Sequence, residues 1–327
     1  MLALVTGGNG FIGSHLVEHL LRQGYSVRCL VRKTSDLRWL RNLNVEYAYG
    51  DLFDNEALKL ALQNVEIIFH SAGMTKAKTK EEYFRGNQLG TRNFLEQVYK
   101  LNPNIKRFVH ISSQAAVGPS FSETPIDESV PFHPITTYGR SKMEAEKECQ
   151  IFFDKFPITI VRPPAVFGEH DTDVFNFFKA MNSGIHPLIG FNTKKVSLVY
   201  VSDLVNGIIL AGKSDQSIRQ TYFIASEKTY SWEEIGNITA KVLNKKVFRF
   251  HIPEFIVFTI FGLGEIASRF SSKPSIINWE KARDVTQQYW TCSIQKAKND
   301  LGYKEKFSLE ESITQTVAWY KNIGWMR

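Results

Sequence analysis

The sequence predicts an α/β protein with a doubly wound parallel sheet and a smaller, mainly helical C-terminal domain. Three observations carry this prediction. Short β-rich runs alternate with helix-length amphipathic segments, a glycine-rich loop follows the first run, and the alternation loosens after about residue 168. The chain has 327 residues, 43% of them hydrophobic and 22% charged, which is enough for one large domain or two fused ones.

The first element is a strand, residues 2–6, that runs into the loop TGGNGFIG (6–13) and then into an amphipathic helix. Gly7 permits a tight turn, Gly10 lets backbone amides approach a pyrophosphate, and Gly13 allows close packing of the helix. A plain glycine-rich turn is the alternative, but the position between a strand and a helix favours dinucleotide binding.

Further strands and helices follow in alternation. The helix after the glycine loop is expected to end near Gly24, because glycine is common just after a helix C-terminus. We expect right-handed crossovers to join the strands into one parallel sheet. The predicted strands are 25–32, 45–51, 65–73, 106–113 and 158–168, and the predicted helices lie near 54–63, 81–101 and 138–155.

The last part of the chain adds two strands and several helices. The β-rich runs 196–204 and 221–226 are expected to return to the main sheet. Two helices are expected to begin at capping boxes, Ser231–Glu234 and Ser308–Glu311.

This change of pattern predicts two domains. Residues 1–168, with 196–226 returning to them, are expected to bind the dinucleotide. Residues 169–195 and 227–327 are expected to form a smaller, mainly helical domain that binds the substrate.

Composition narrows the classes of function. The formal charge is +7, but the basic residues are scattered rather than gathered in the stripe typical of nucleic-acid binders, so we expect a small-molecule substrate and no nucleic acid. An anionic small ligand or an anionic membrane surface would use the charge equally well. Cys29, Cys149 and Cys292 form no CxxC pair, which argues against a zinc site or disulfides and favours the cytoplasm. The apolar start is shorter than the core of a signal peptide. Three histidines without a ligand cluster beside them are interpreted as structural, with no metal expected: His15, His70 and His110.

Tyr138 and Lys142 form the chemical centre that the sequence predicts. Four residues apart on a helix, the phenol and the ammonium group lie on one face and can reach the same pocket. An unperturbed phenol has a pKa of about 10, and a nearby cation is expected to lower the pKa of Tyr138 towards neutrality.

The spacing GxxGxxG in TGGNGFIG, together with Tyr138 and Lys142, resembles the extended branch of the short-chain dehydrogenase/reductase superfamily, the NAD-dependent epimerase/dehydratase family. Four further motifs match in the family's order: GDLFD (50–54), HSAG (70–73), NQLGTRNFLE (87–96) and RPPAVFG (162–168). The chain looks closest to dihydroflavonol reductase, 3β-hydroxysteroid dehydrogenase-like and hopanoid-associated bacterial members. The cofactor contacts that the resemblance implies are Gly7, Gly10, Phe11, Ile12, Gly13, Asp51, Leu52, Ala72, Gly73, Asn87, Tyr138, Lys142, Pro163 and Val166.

The resemblance also implies the catalytic residues. Ser113 lies 5 residues before Gly118 and 25 before Tyr138, as the family's serine or threonine does, and Ser112 fits this spacing less well. By resemblance, Ser113 binds the substrate oxygen, Tyr138 transfers the proton, and Lys142 holds the nicotinamide ribose and tunes the tyrosine.

The end of the second strand predicts which dinucleotide is bound. An acid there accepts hydrogen bonds from a free ribose 2′-hydroxyl, whereas a cation accommodates a 2′-phosphate. Val31 stands where NAD-dependent relatives carry an aspartate, and Arg32 and Lys33 follow. We therefore predict NADP(H) over NAD(H), with a merely solvated basic strand end as the alternative.

The substrate is less narrowly predicted. In GFNTKKVSLVYVSD, Ser197 and Leu198 stand where many sugar epimerases have Arg-Asp, the arginine of which binds the substrate diphosphate, although Lys194 or Lys195 could substitute. In the later part of this stretch, Asp203 is interpreted as a helix cap. The apolar stretch 252–270 could wall a pocket for a lipophilic substrate, rest on a membrane surface, or be a buried packing helix.

The leading hypothesis is an NADP(H)-dependent oxidoreductase that interconverts a ketone and a secondary alcohol on a sterol-, terpenoid- or flavonoid-like substrate. The alternative is a nucleotide-sugar epimerase or dehydratase that uses transient oxidation. A dinucleotide-sensing protein without catalysis is a third class, which the intact Ser-Tyr-Lys set argues against. Many relatives dimerise through helices corresponding to 81–101 and 138–155, and monomeric relatives exist.

Overall fold

The computed structural model describes residues 1–268 and 278–326. The last two residues of the apolar stretch 252–270 therefore lie outside the described residues. The strands are β1 (Leu2–Thr6), β2 (Ser26–Val31), β3 (Glu46–Tyr49), β4 (Ile67–His70), β5 (Arg107–Ile111), β6 (Ile158–Arg162), β7 (Ala165–Phe167), β8 (Ile185–Ile189), β9 (Lys195–Tyr200), β10 (Thr221–Phe223), β11 (Thr229–Ser231), β12 (Phe248–Ile252) and β13 (Tyr289–Trp290).

The α-helices pack on these sheets and make up most of the C-terminal part of the chain. They are α1 (Phe11–Arg22), α2 (Asn55–Ala61), α3 (Lys80–Phe84), α4 (Gly90–Leu101), α5 (Thr137–Ile151), α6 (Phe175–Asn182), α7 (Val201–Lys213), α8 (Trp232–Leu243), α9 (Glu254–Ser268), α10 (Trp279–Thr286), α11 (Gln295–Leu301) and α12 (Leu309–Asn322). A π-helical turn, Arg85–Leu89, interrupts the predicted helix 81–101 between α3 and α4.

A seven-stranded parallel sheet with the order β10-β6-β5-β4-β1-β2-β3 forms the centre of the molecule, as predicted. Its inner strands are apolar on both faces because helices cover both. One face packs on α1 and α7 through residues such as Leu16 and Ile208, and the other on α2, α4 and α5 through Leu58 and Phe94. The order reverses between β1 and β4, so the carboxyl ends of these strands border a crevice for a ligand.

The prediction for 221–226 is confirmed in that β10 joins the main sheet beside β6, but two other strand predictions were wrong. The run 158–168 divides into β6 and β7, because Pro163 and Pro164 provide no backbone N–H for a ladder. The run 196–204 holds β9 and the start of α7, and β9 pairs with β7, β11 and β13 in a second sheet. The apolar residues of β9 and β10 follow the same kind of pattern in the sequence, so this pattern does not indicate which sheet each strand joins.

The helix starts follow the sequence more closely. Both predicted capping boxes are confirmed, at the first turns of α8 and α12. The interpretation of Asp203 as a helix cap was wrong: Tyr200 is the N-cap of α7, and the Asp203 carboxylate accepts hydrogen bonds from the backbone N–H groups of Lys306 and Phe307. Asp203 therefore connects the first turn of α7 to the C-terminal segment at Lys306 and Phe307.

Candidate active site

The glycine loop between β1 and α1 leaves no room for side chains. Gly7 has a φ of +69°, and a Cβ atom on it would lie 2.7 Å from the backbone nitrogen of Ala72. A Cβ on Gly13 would lie 2.1 Å from the carbonyl oxygen of Gly7, so both positions require glycine. Gly10 is the N-cap of α1 and has no side chain to cap it, which leaves the first amide groups of the helix, from Phe11 onward, available to an anion.

This loop fits the pyrophosphate of a dinucleotide. Phe11 and Ile12 form the first turn of α1 directly after the backbone cradle that side chains at Gly7 and Gly13 would fill. A helix N-terminus of this kind, after the central strand of a parallel sheet, binds pyrophosphate through its backbone amides and its dipole.

The ends of β2 and β3 provide the groups nearest the predicted adenosine site. Val31 is buried, whereas Arg32 and Lys33 are exposed and have no ion-pair partner among residues 1–268 and 278–326. After β3, the carboxylate of Asp51 accepts a hydrogen bond from the backbone of Phe53 at 2.8 Å.

Leu52, the next residue, contacts α4 through both its backbone and its side chain. Its carbonyl oxygen accepts a hydrogen bond from the amide of Asn93 at 2.5 Å, and its side chain lies against Gly90. The segment is thereby anchored to α4.

The turn after β4 connects the glycine loop to the predicted catalytic residues. Thr6 accepts a hydrogen bond from the backbone N–H of Ala72 at 3.2 Å. Asn87 accepts one from the N–H of Met74 at 2.7 Å and donates to the Met74 carbonyl oxygen at 3.0 Å. A Cβ on Gly73 would lie 3.0 Å from the amide oxygen of Asn87 and 3.8 Å from Nζ of Lys142. Asn87 thus fixes the backbone that passes beside the lysine.

Tyr138 lies in the first turn of α5, close to Ser113. Burial raises the pKa of Tyr138 to about 12, and the Ser113 hydroxyl lowers it only in part. Our expectation that Lys142 lowers the pKa of this phenol is not met, because the groups that shift it besides burial are Ser113, Tyr83 and Asp284. The phenol is therefore protonated at neutral pH.

Lys142 is buried one turn further along α5. Its ammonium group donates a hydrogen bond to the carbonyl oxygen of Ile111 at 2.8 Å. Burial lowers the pKa of Lys142 to about 8, and the carboxylate of Glu146 partly opposes that shift. The structure thus brings Ser113, Tyr138 and Lys142 to the carboxyl ends of the central strands.

Sequence reasoning missed the buried ion pair beneath these residues. Arg162 donates hydrogen bonds to both carboxylate oxygens of Glu146, at 3.0 and 2.6 Å, and Ser112 donates a third. Ser112 is thereby occupied inside the protein, which leaves Ser113 as the serine beside Tyr138. Glu146 lies eight residues after Tyr138 and four after Lys142, so the helical spacing could have predicted it.

Of the two residues carried over from RPPAVFG, Pro163 contacts the segment that holds Ser113. Its carbonyl oxygen accepts a hydrogen bond from the backbone of Gln114, next to Ser113, at 2.8 Å. Val166 is half-buried in β7, where it pairs with Val199 of the second sheet.

Glu280, in α10, is a second residue that sequence reasoning missed. Its carboxylate accepts hydrogen bonds from the backbone N–H of Thr137 at 2.7 Å, the Thr137 hydroxyl at 2.8 Å and Arg140 at 2.6 Å. Thr137 and Arg140 flank Tyr138, and the carboxylate of Asp284, also in α10, contributes to the raised pKa of the tyrosine. No local pattern connects residues this far apart in the chain.

The three histidines have protein contacts in the fold. His70 lies between the hydroxyls of Thr6 and Thr91, at 2.7 and 3.0 Å, and burial lowers its pKa to about 3. His110 is fully buried beside it, and His15 contacts the carbonyl oxygen of Glu169 at 2.8 Å.

Comparison with known proteins supports the assignment made from these motifs. The family model named NAD dependent epimerase/dehydratase family matches residues 3–225. The chain belongs to this family. It is an NAD(P)-dependent enzyme of the extended short-chain dehydrogenase/reductase type, with dehydrogenases and reductases among its relatives.

Three curated relatives illustrate the range of the family. Ceramide reductase of Caulobacter vibrioides is 30% identical over 98% of this chain and 95% of the relative. A putative dihydroflavonol 4-reductase of Synechocystis is 29% identical over 99% and 95%. The 3 beta-hydroxysteroid dehydrogenase/Delta 5-->4-isomerase of Mycobacterium tuberculosis is 26% identical over 98% and 90%. The resemblance to the reductase and steroid dehydrogenase groups is confirmed.

Solved structures agree on the fold. The crystal structure of gox2253 aligns with a TM-score of 0.84 at 27% identity, over 100% of this chain and 99% of that chain. UDP-glucose 4-epimerase of Thermotoga maritima, solved with UDP-glucose, aligns with a TM-score of 0.80 at 23% identity over 99% of both chains. At that identity the second likeness shows the fold alone.

Proposed function

We propose that this enzyme is an NADP(H)-dependent oxidoreductase that interconverts a ketone and a secondary alcohol on a lipophilic substrate. The observation that carries the proposal is the convergence of Ser113, Tyr138 and the buried Lys142 at the carboxyl ends of the central strands. These groups, anchored on α5 and the end of β5, can hold a carbonyl oxygen and protonate it.

The protonation states favour carbonyl reduction. With a pKa of about 12, Tyr138 carries its proton at neutral pH and can donate it to the substrate oxygen. Ser113 donates a hydrogen bond to that oxygen as negative charge develops, and Lys142 stabilises the resulting phenolate. A reduced nicotinamide cofactor, held by the glycine loop and Lys142, would supply the hydride for the carbonyl carbon. In the reverse direction the phenolate accepts the alcohol proton.

The proposed preference for NADP(H) rests on Arg32 and Lys33. Both are exposed immediately after β2 and have no ion-pair partner among the described residues, and the buried Val31 provides no acceptor for a 2′-hydroxyl. We expect Arg32→Asp to weaken NADPH binding at least about tenfold and to improve NADH binding, measured by cofactor fluorescence titration. Arg38→Asp, which changes the next arginine along the same loop, is the control and should leave the ratio of NADPH affinity to NADH affinity unchanged. An unaltered ratio in Arg32→Asp would contradict the proposed preference.

Two contacts argue against a nucleotide-sugar substrate. Lys194 is buried and donates hydrogen bonds to Glu254, at 2.7 Å, and to the carbonyl oxygen of Thr286. Lys195 pairs with Glu123. The two lysines that could have replaced the diphosphate-binding arginine are thus both engaged. The ceramide reductase relative, which is named for a lipid, supports a lipophilic substrate.

Cofactor consumption tests the proposed reaction. Purified enzyme with NADPH should lose NADPH absorbance with members of a panel of ketosteroids and long-chain ketolipids, and not with UDP-glucose. Turnover of UDP-glucose without net loss of NADPH or NADH would instead establish the epimerase alternative. Binding of NADPH without turnover of any panel member would contradict the proposed function.

A further inference from the structure

Helix α9 exposes an apolar face, the reverse of the usual arrangement in a globular protein. Phe255, Ile260 and Leu263 are 71%, 50% and 63% exposed, and Ile256 and Thr259 lie exposed between them. These positions recur at helical spacing, so they form one continuous surface. Together with the exposed aromatic residues near β12, this face is a candidate interaction site.

The opposite face of α9 is already used for packing. Val257 is buried, and the ring of Phe258 lies 5.0 Å from that of Trp279 in α10. Helix α10 in turn holds the N-terminus of α5 through Glu280. Helix α10 therefore lies between α9 and α5, and the exposed face of α9 is on the side away from α10.

The charges of the segment that contains β12 and α9 favour an anionic partner. No charged residue lies between Glu254 and Glu265, and both of these acids are engaged: Glu254 pairs with Lys194, and Glu265 accepts a hydrogen bond from the backbone N–H of Trp279. Just before β12, the strand that leads into α9, Lys245 and Lys246 are exposed and have no ion-pair partner among the described residues. The chain as a whole carries a formal charge of +7.

Two exposed phenylalanines extend the apolar surface of this region. Phe248, at the start of β12, is 72% exposed, and Phe191 is 74% exposed, with its ring stacked on His251 at the end of the same strand. Aromatic side chains with nearby lysines are typical of segments that lie in the interface of a bilayer.

We propose that the exposed face of α9 docks on the surface of an anionic lipid bilayer. In residues 1–268 and 278–326 no helix has the length and apolarity to cross a bilayer, so the contact is with the membrane surface. A helix of 15 residues is about 22 Å long and about 10 Å wide, so this face covers roughly 220 Å². A stable dimer buries about 800 Å² per partner, so this face alone is too small to hold two copies of the chain together.

If the substrate is lipophilic, as the proposed function holds, this docking brings the enzyme to the bilayer that dissolves its substrate. The α9–α10 pair then lies between the bilayer and Tyr138. Docking itself does not depend on the reaction, because it is measured without cofactor or substrate.

Vesicle sedimentation tests the proposal. Purified full-length protein is mixed with vesicles of phosphatidylcholine and phosphatidylserine, and the bound fraction is measured against lipid concentration. We expect Phe255→Ser/Leu263→Ser to lower the partition coefficient at least about tenfold. The matched control is Leu60→Ser/Ile151→Ser, which removes two apolar side chains that are 61% and 68% exposed on α2 and α5. The control should bind as the unsubstituted protein does, and thermal unfolding checks that both variants fold.

Absence of vesicle binding by the unsubstituted protein would overturn the proposal, as would equal binding by the α9 variant and the control. A dimer in sedimentation equilibrium that only the α9 variant loses would assign the face to a second copy of the chain and also overturn it. Failure of the proposed reductase activity would leave the vesicle result unchanged, so the two proposals fail separately.

Discussion

The glycine loop and the α9–α10 pair both connect to the candidate active site and are built on different principles. At the loop, backbone approaches backbone so closely that Cβ atoms on Gly7 and Gly13 would lie 2.7 and 2.1 Å from main-chain atoms. At α9–α10, side chains make the contacts, through Trp279 and Glu280, and the outer surface is left apolar and exposed.

This difference separates two tasks. A pyrophosphate has the same shape in every relative, so a rigid backbone cradle suits it. A substrate varies among relatives, and side-chain contacts between a helix pair and α5 can change without disturbing the sheet. We therefore expect substitutions at the loop and the triad to have large effects, and substitutions at α9–α10 to have small and graded ones.

The largest effect on activity is expected at Tyr138, the proposed proton donor. Tyr138→Phe removes the phenolic proton that the proposed mechanism donates to the substrate oxygen, and should lower kcat for ketone reduction by about 10²–10⁴-fold. Tyr83→Phe is the matched control, because the Tyr83 ring lies 6.2 Å from that of Tyr138 but its hydroxyl donates to the carbonyl oxygen of Thr75. Full activity of Tyr138→Phe on a confirmed substrate would refute the mechanism.

The same substitution in the two regions should act with opposite signs. Gly13→Ala forces a methyl group against the Gly7 carbonyl and should destabilise the fold by about 1–3 kcal/mol and weaken NADPH binding at least about tenfold. Gly262→Ala places its methyl group 3.6 Å from the Trp279 ring, an ordinary contact, and should stabilise by about 0.5–1 kcal/mol through helix propensity. Thermal unfolding measures the stability of both variants, and cofactor titration measures their NADPH affinity. Equal effects of the two substitutions on stability would contradict the contrast between the regions.

The pH dependence should separate catalysis from stability. Lys142, with its pKa lowered by burial from 10.5 to about 8, loses its charge above pH 8, so kcat/KM for reduction should fall about tenfold per pH unit there. Between pH 8 and 10.5 the unfolded state binds more protons at this lysine, so its contribution to stability rises with pH. Loss of activity above pH 8 without a parallel loss of stability is the expected result, and a flat pH profile would contradict it.

Local patterns predicted the parts of the site that local sequence controls. The glycine spacing, the Tyr138–Lys142 pair and both capping boxes depend on residues within a few positions of one another, and the fold places them as expected. Glu146 follows the same helical spacing and could have been predicted.

Other features depend on contacts that no short pattern encodes. The raised pKa of Tyr138 comes from burial, which depends on the whole fold. The pairing of β9 with β7 instead of the main sheet depends on where the chain turns after Pro163 and Pro164. Glu280 reaches α5 from 140 residues away in sequence at Arg140, and only tertiary packing brings the two together.

The smallest effect is expected at that contact. Glu280→Gln keeps an acceptor for the Thr137 backbone but removes the charge that pairs with Arg140, whose side chain is 39% exposed. Because partly exposed ion pairs contribute about 0–1 kcal/mol and Glu280 contacts residues on both sides of Tyr138, kcat for ketone reduction should fall about two- to fivefold with little change in KM. Glu144→Gln removes a comparable surface pair, with Lys147, on the same helix and should leave kcat unchanged. If KM rises instead and kcat is constant, Glu280 acts on the substrate side of the site rather than on the position of Tyr138.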